Sequence, residues 1–162
     1  MRRQLPVIAV VVAFVSLVAS ASALAAAGDR SVDQTYPVAT ALCVKAHTAA
    51  LPAKLAPQAT GVVSACDALE NAFPPLVATV AAAQSQYLGV VSTQKALFGA
   101  ACARSLTDHS ACIDARTNAH AAIVAARHIE RTALLRFHTS VEANRTAFWA
   151  TIQSLRGSTS TG

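Results

Sequence analysis

Aromatic residues are scarce in this chain: one Trp, two Tyr and five Phe among 162 residues. Acidic residues number eight, and none stands in the E-x-x-H arrangement by which helical bundles hold paired metals. The five histidines contain no H-x-x-x-H or H-E-x-x-H pair, so the spacing that places two imidazoles on one helical face is missing. No C-x-x-C or C-x-x-C-H occurs among the four cysteines, which leaves zinc and c-type haem without their usual ligands. Phosphate loops of the G-x-x-x-x-G-K type and the G-x-S-x-G nucleophile elbow are absent too. Six glycines offer few tight turns for an oxyanion hole. These absences point away from catalysis, and no cofactor or metal is implied.

What is present begins with the N-terminus. Arg2 and Arg3 precede an apolar run from Leu5 to Val18 and then a stretch rich in small residues, Ala19 to Gly28. That is the layout of a secretory signal peptide. Small residues at −3 and −1 suit cleavage after Ala23, Ala25 or Ala27, and Ala23-Leu24-Ala25 is the preferred site. The competing reading is an uncleaved N-terminal membrane anchor, since about 20 apolar residues span a bilayer. The Ala- and Ser-rich second half favours cleavage. The expected organisation is a signal peptide at 1–25, one helical domain at 26–156 and a loose tail at 157–162. Loss of Arg2 and Arg3 lowers the formal charge from +5 to +3. So mild a basicity implies no nucleic-acid partner.

Cys43, Cys66, Cys102 and Cys112 all lie in the part expected to be exported, where an even count reads as two disulfides. Hydrophobic periodicity predicts helices over about 31–51, 57–71, 75–104 and from about 111 to 156. No segment alternates as a strand. The turn near Lys54 and Leu55 lies equally far from Cys43 and Cys66, and Thr107 is the midpoint of Cys102 and Cys112. Each pair therefore clamps an antiparallel helical hairpin, giving Cys43–Cys66 and Cys102–Cys112.

A seam with alternating steps of three and four runs through Cys66, Leu69, Phe73, Leu76, Val80, Ala83, Tyr87, Val90, Gln94, Leu97 and Ala101. This is a coiled-coil-like pattern, and it keeps register through Pro74-Pro75. The fold class is all-α, with two architectures available. A turn at the proline pair gives a four-helix up-down bundle. A kink there gives three long helices: a bent rod antiparallel to the last helix, with the first helix packed at the far end. Interior proline costs about 3 kcal/mol, which argues for a break. The last helix, at about 1.5 Å per residue, would be nearly 70 Å long. That is too long for a compact bundle and favours the bent hairpin.

Reflecting the seam through Thr107 places Ile113, Thr117, His120, Val124, Arg127, Arg131, Leu134, His138, Val141, Arg145, Phe148, Ile152 and Leu155 on the last helix. His120, Arg127, Arg131 and His138 then become candidate anion ligands in a groove between helices. In a slightly rotated helix, Ala119, Ile123, Ala126, Ala133 and Phe137 face the partner instead. The basic groups then sit in solvent with Glu130 and Glu142. Charge runs on long helices are ordinarily solvated, which favours the rotated form. Phe148 and Trp149 read as core anchors where the first helices meet the last, and Asn144-Arg-Thr146 is a formal glycosylation acceptor.

The functional expectation is an exported, non-catalytic structural or interaction module, with the basic face of the last helix as its contact surface. The alternative is a helical bundle that binds a small molecule or anion through the His/Arg stripe. The expected partners of the protein are an anionic envelope surface or another exported protein.

Overall fold

A computed structural model describes residues 31–104 and 109–158. The expected signal peptide, Thr107 and most of the tail lie outside the described residues. Helices α1 (Val32–Thr35) and α2 (Pro37–His47) are followed by a short 3₁₀ turn at Ala56–Gln58. Two long helices follow, α3 (Ala59–Arg104) and α4 (Ser110–Gly157). They have 46 and 48 residues, about 70 Å each. They pack against one another, and α2 packs on α3 at the base of the pair.

The predicted first helix is two pieces. Proline disfavours a helical conformation in the residue before it, and Tyr36, ahead of Pro37, leaves the helical region at φ −127°, ψ 54°. α2 ends in a Schellman motif: Ala50 N–H donates to the Lys45 carbonyl at 2.8 Å and Ala49 N–H to the Ala46 carbonyl at 3.3 Å. The motif needs a left-handed residue, and Ala49 supplies it at φ 56° without being glycine. The next helix begins two residues later than expected, because Ala56–Gln58 forms the 3₁₀ turn on Pro57 first.

Pro74 and Pro75 lie inside one continuous α3, so the proline pair is not a turn and the four-helix up-down alternative is not formed. Both prolines are exposed, as are Glu70 and Asn71, whose carbonyls lose their i+4 donors. Those carbonyls can take water. On the inner side of the same turn Phe73 is buried. Its ring meets Tyr36 edge-on at 5.8 Å and Phe137 at 6.2 Å. One aromatic thus ties the α1–α2 junction, α3 and α4 together where the prolines weaken the helix.

Both disulfides join the residues that the spacing pairs, Cys43–Cys66 and Cys102–Cys112, with Cα separations of 5.5 and 4.6 Å. Their sequence separations of 23 and 10 correspond to about 3.4 and about 2.7 kcal/mol in the chain-entropy treatment. The first lies within the main core, which also holds Tyr36, Leu55, Val62, Leu69, Phe73, Val80, Phe137, Phe148 and Ile152. The second closes the far end. Between them, beyond the base, α3 and α4 form a two-helix arm, in which Tyr87, Ile123 and Ala126 cluster with Val90 and Val91 against them.

The seam on α3 follows the predicted positions to Gln94, then shifts: Leu97 is exposed and Phe98 is partly buried instead. On α4 the reflected seam is one residue out of phase over the arm. The buried positions are Ala119, Ile123, Ala126, Glu130, Ala133 and Phe137, the rotated form, with one correction: Glu130 is inside rather than in solvent. Phe148, Ile152 and Leu155 keep their predicted places. A strict 3.5-residue repeat drifts against a 3.6-residue helix. The seam accordingly recurs every eleventh residue, through Ala119, Glu130, Val141 and Ile152. Threonines on the outer faces of the long helices return their hydroxyls to the carbonyl four residues back, as at Thr79, Thr117, Thr132, Thr139 and Thr151. This satisfies the hydroxyl without leaving the helix.

Candidate functional site

The rotation of α4 decides what its basic residues can do. Ile113, Arg116, His120, Val124, Arg127, Arg131, Leu135 and His138 follow one another at steps of three and four. They form a single stripe along the side of the helix. All are exposed except Arg127, which is partly buried. At eleven residues to three turns the stripe resolves into three parallel lines, roughly 65°, 100° and 130° around from the buried seam. Arg116, Arg127 and His138 form the line nearest α3. His120 and Arg131 form the middle line. Ile113, Val124 and Leu135 form the outermost line, and are 62%, 53% and 68% exposed.

The four predicted anion ligands therefore share a face without converging. His120 and His138 are 18 residues apart on one helix, about 27 Å, so no one ion can touch both. Arg127 and Arg131 are a single turn apart and are the nearest to a pair. Below the arm the stripe is covered. Trp149 continues the line of Arg116, Arg127 and His138, and with Arg145 it borders a cleft of about 340 Å³ against Thr35–Ala39. The α1–α2 junction thus lies over the base end of the line, and the other described residues leave the rest open. Phe148 is fully packed and Trp149 partly so. Asn144, of the formal glycosylation acceptor, is partly buried within α4.

The charge distribution sharpens the contrast between base and arm. Residues 76–138 hold six cations (Lys95, Arg104, Arg116, Arg127, Arg131, Arg136) and three acids (Asp108, Asp114, Glu130), a net +3. Residues 26–75 hold three cations and four acids, and 139–162 two cations and one acid, so these two segments cancel. The net charge of the part after residue 25 thus falls within 76–138, the arm and its junction with the base. From Asn71 to Arg104 helix α3 carries no acid at all. Glu142, at the base end of the middle line, is held by Arg145 at 2.6 Å.

Two residues take places that the sequence does not announce: Glu130, expected in solvent, and Tyr36. Glu130, 4% exposed, stands on the seam between the base core, which ends at Phe137, and the arm core at Ile123 and Ala126. Its place on the eleven-residue line of Ala119, Val141 and Ile152 was the available signal. Tyr36 is buried, and its hydroxyl donates to the Val141 carbonyl at 3.4 Å. Burial raises its pKa above the ordinary 10.0, partly opposed by a hydrogen bond with the Asn144 side chain. Pro37 marks the break that lets Tyr36 turn inward.

Other openings are shallow. One of about 150 Å³ lies between Ala65, Ala68 and Ala72 on α3 and Asn144, Ala147 and Thr151 on α4. Another of about 620 Å³ lies beside Pro52–Leu55 and Arg156. Among the described residues no group of three or more His, Cys, Asp or Glu is placed to hold a metal ion. No helix there is long and apolar enough to cross a membrane. Comparison with protein-family models, curated proteins and solved structures gives no match.

Proposed function

We propose that the chain is an exported, non-catalytic helical module that acts by contact, through the basic side of α4. The observation that carries this reading is the exposed stripe from Ile113 to His138, in the segment 76–138 that carries the net positive charge. Export rests on the N-terminal pattern of Arg2-Arg3, apolar run and small residues. Two disulfides are compatible with it, since such bonds persist in oxidising compartments. The base, with its larger core and buried disulfide, serves as the anchor from which the arm projects.

A small-anion site formed by His120, Arg127, Arg131 and His138 has less support, because the four are strung along one helix and line none of the clefts described above. The test is binding of the mature, oxidised chain to immobilised anionic polymers across a salt series. Binding should fall steeply with salt, since exposed charges are screened within about 10 Å at 0.1 M. It should also be lost in an R116Q/R127Q/R131Q variant and kept in a K45Q/K54Q variant of the base. Equal loss in both variants, or none in either, removes the stripe as the contact surface.

A further inference from the structure

The partner can be narrowed, on the reading just given, from the order of the three lines on α4. A partner helix laid into the groove between α3 and α4 needs apolar side chains beside the seam and charges at the rim. Here the order is reversed. The cations Arg116 and Arg127 lie nearest the seam, and Ile113, Val124 and Leu135 stand outermost. A second copy of the chain is disfavoured as well, because pairing this face with itself would set arginines against arginines. We infer that the arm lies lengthwise on an anionic lipid bilayer, with Ile113, Val124 and Leu135 entering the interface and the neighbouring arginines meeting lipid phosphates.

The physical fit is specific. A helix that lies on a bilayer buries a line of aliphatic side chains at the headgroup boundary and keeps cations beside it. Arginine stems can lie along the apolar layer while the guanidinium stays at phosphate depth. Three aliphatics recurring every eleventh residue make a straight line about 33 Å long, which a flat surface can meet all at once. The opposite side of α4 has no such line: Ile129 is its one exposed large aliphatic among the described residues, and Asp114 and Arg136 share that side at other levels of the helix.

The experiment is sedimentation of the oxidised mature chain with vesicles of phosphatidylglycerol and phosphatidylcholine in equal parts, and with phosphatidylcholine alone. Binding to the anionic vesicles and not to the neutral ones is expected. Each arginine removed from the stripe should weaken it about fivefold, so R116Q/R127Q/R131Q should bind about a hundredfold less well. I113S/V124S/L135S should lose at least tenfold, whereas I129S should bind like the parent. Circular dichroism of each variant establishes that it is folded. Anionic vesicle binding indifferent to the three serines overturns the inserted line. No vesicle binding, with retention on polyglutamate that the arginine variant abolishes, overturns the lipid partner and leaves the basic-face reading standing. Failure on both supports removes both.

Discussion

Replacing Pro74 and Pro75 together with alanine should stabilise the protein substantially. Each proline removes one backbone donor and sets its ring against the carbonyl one turn back. An interior proline is about 3 kcal/mol less favourable than alanine. Both prolines are exposed, so alanine leaves no cavity in the core. The two rings crowd adjacent carbonyls, those of Glu70 and Asn71, on the same turn, so part of the distortion is shared. The gain should fall between about 3 and about 6 kcal/mol. For a domain of this size that corresponds to roughly 10–20 °C in Tm. Urea unfolding with disulfides intact, followed by far-ultraviolet circular dichroism, gives the free energy directly, and the slope should not change. A loss of stability would refute the reasoning. It would mean that the prolines shape α3 so that Phe73 reaches Tyr36 and Phe137, contacts worth about 0.5–1.5 kcal/mol each. The F73L substitution separates the cases: its cost should be the same with and without the prolines if they are only tolerated, and smaller in the alanine background if they position the ring.

Three further substitutions follow from local geometry. E130L should raise stability by about 1–3 kcal/mol, because a carboxylate on a buried seam is exchanged for an apolar side chain; an unchanged or lower urea midpoint would show that the carboxylate is well satisfied where it stands. A49G should add about 1 kcal/mol by relieving a left-handed alanine, and no change in thermal midpoint would count against strain at that cap. Tyr36 has a raised pKa in the folded state, so its contribution is fully present below the unfolded value near 10 and is lost as pH rises through the folded value. Alkaline titration should show one phenol ionising late, together with loss of structure. In Y36F that coupling should vanish, and a parent-like alkaline transition in Y36F would assign it elsewhere.

Much of the architecture was legible because the cysteines mark it. Their symmetry about the Lys54–Leu55 turn and Thr107 depends only on helices being straight and antiparallel, and both pairs formed as that symmetry requires. The α3 seam was legible because Leu69, Phe73, Val80 and Tyr87 contrast with small or polar neighbours. The phase of α4 was legible from its charges, which favour the rotated form, and not from its apolar pattern. Ala119, Ala121, Ala122, Ala125 and Ala126 can sit inside or outside at little cost, so the local pattern says little about rotation. The reflected repeat then carried its drift into the arm. There it put His120, Arg127, Arg131 and His138 on the seam rather than on the stripe beside it. Leu55 was read as the middle of a turn and is 1% exposed, because a loop can fold a side chain under the base without any periodic signature. Tyr36 was similarly hidden: the effect of Pro37 on the preceding residue was the signal, inside what otherwise reads as one helix.

The placement of the two disulfides has a consequence for how the molecule withstands proteases. One bond spans the connection between α2 and α3, and the other spans the connection between α3 and α4. A peptide bond cut between Cys43 and Cys66, or between Cys102 and Cys112, opens the backbone without releasing a fragment. Even a chain nicked at both places remains one covalent body whose long helices stay aligned. Its damage would become visible on a gel only after reduction.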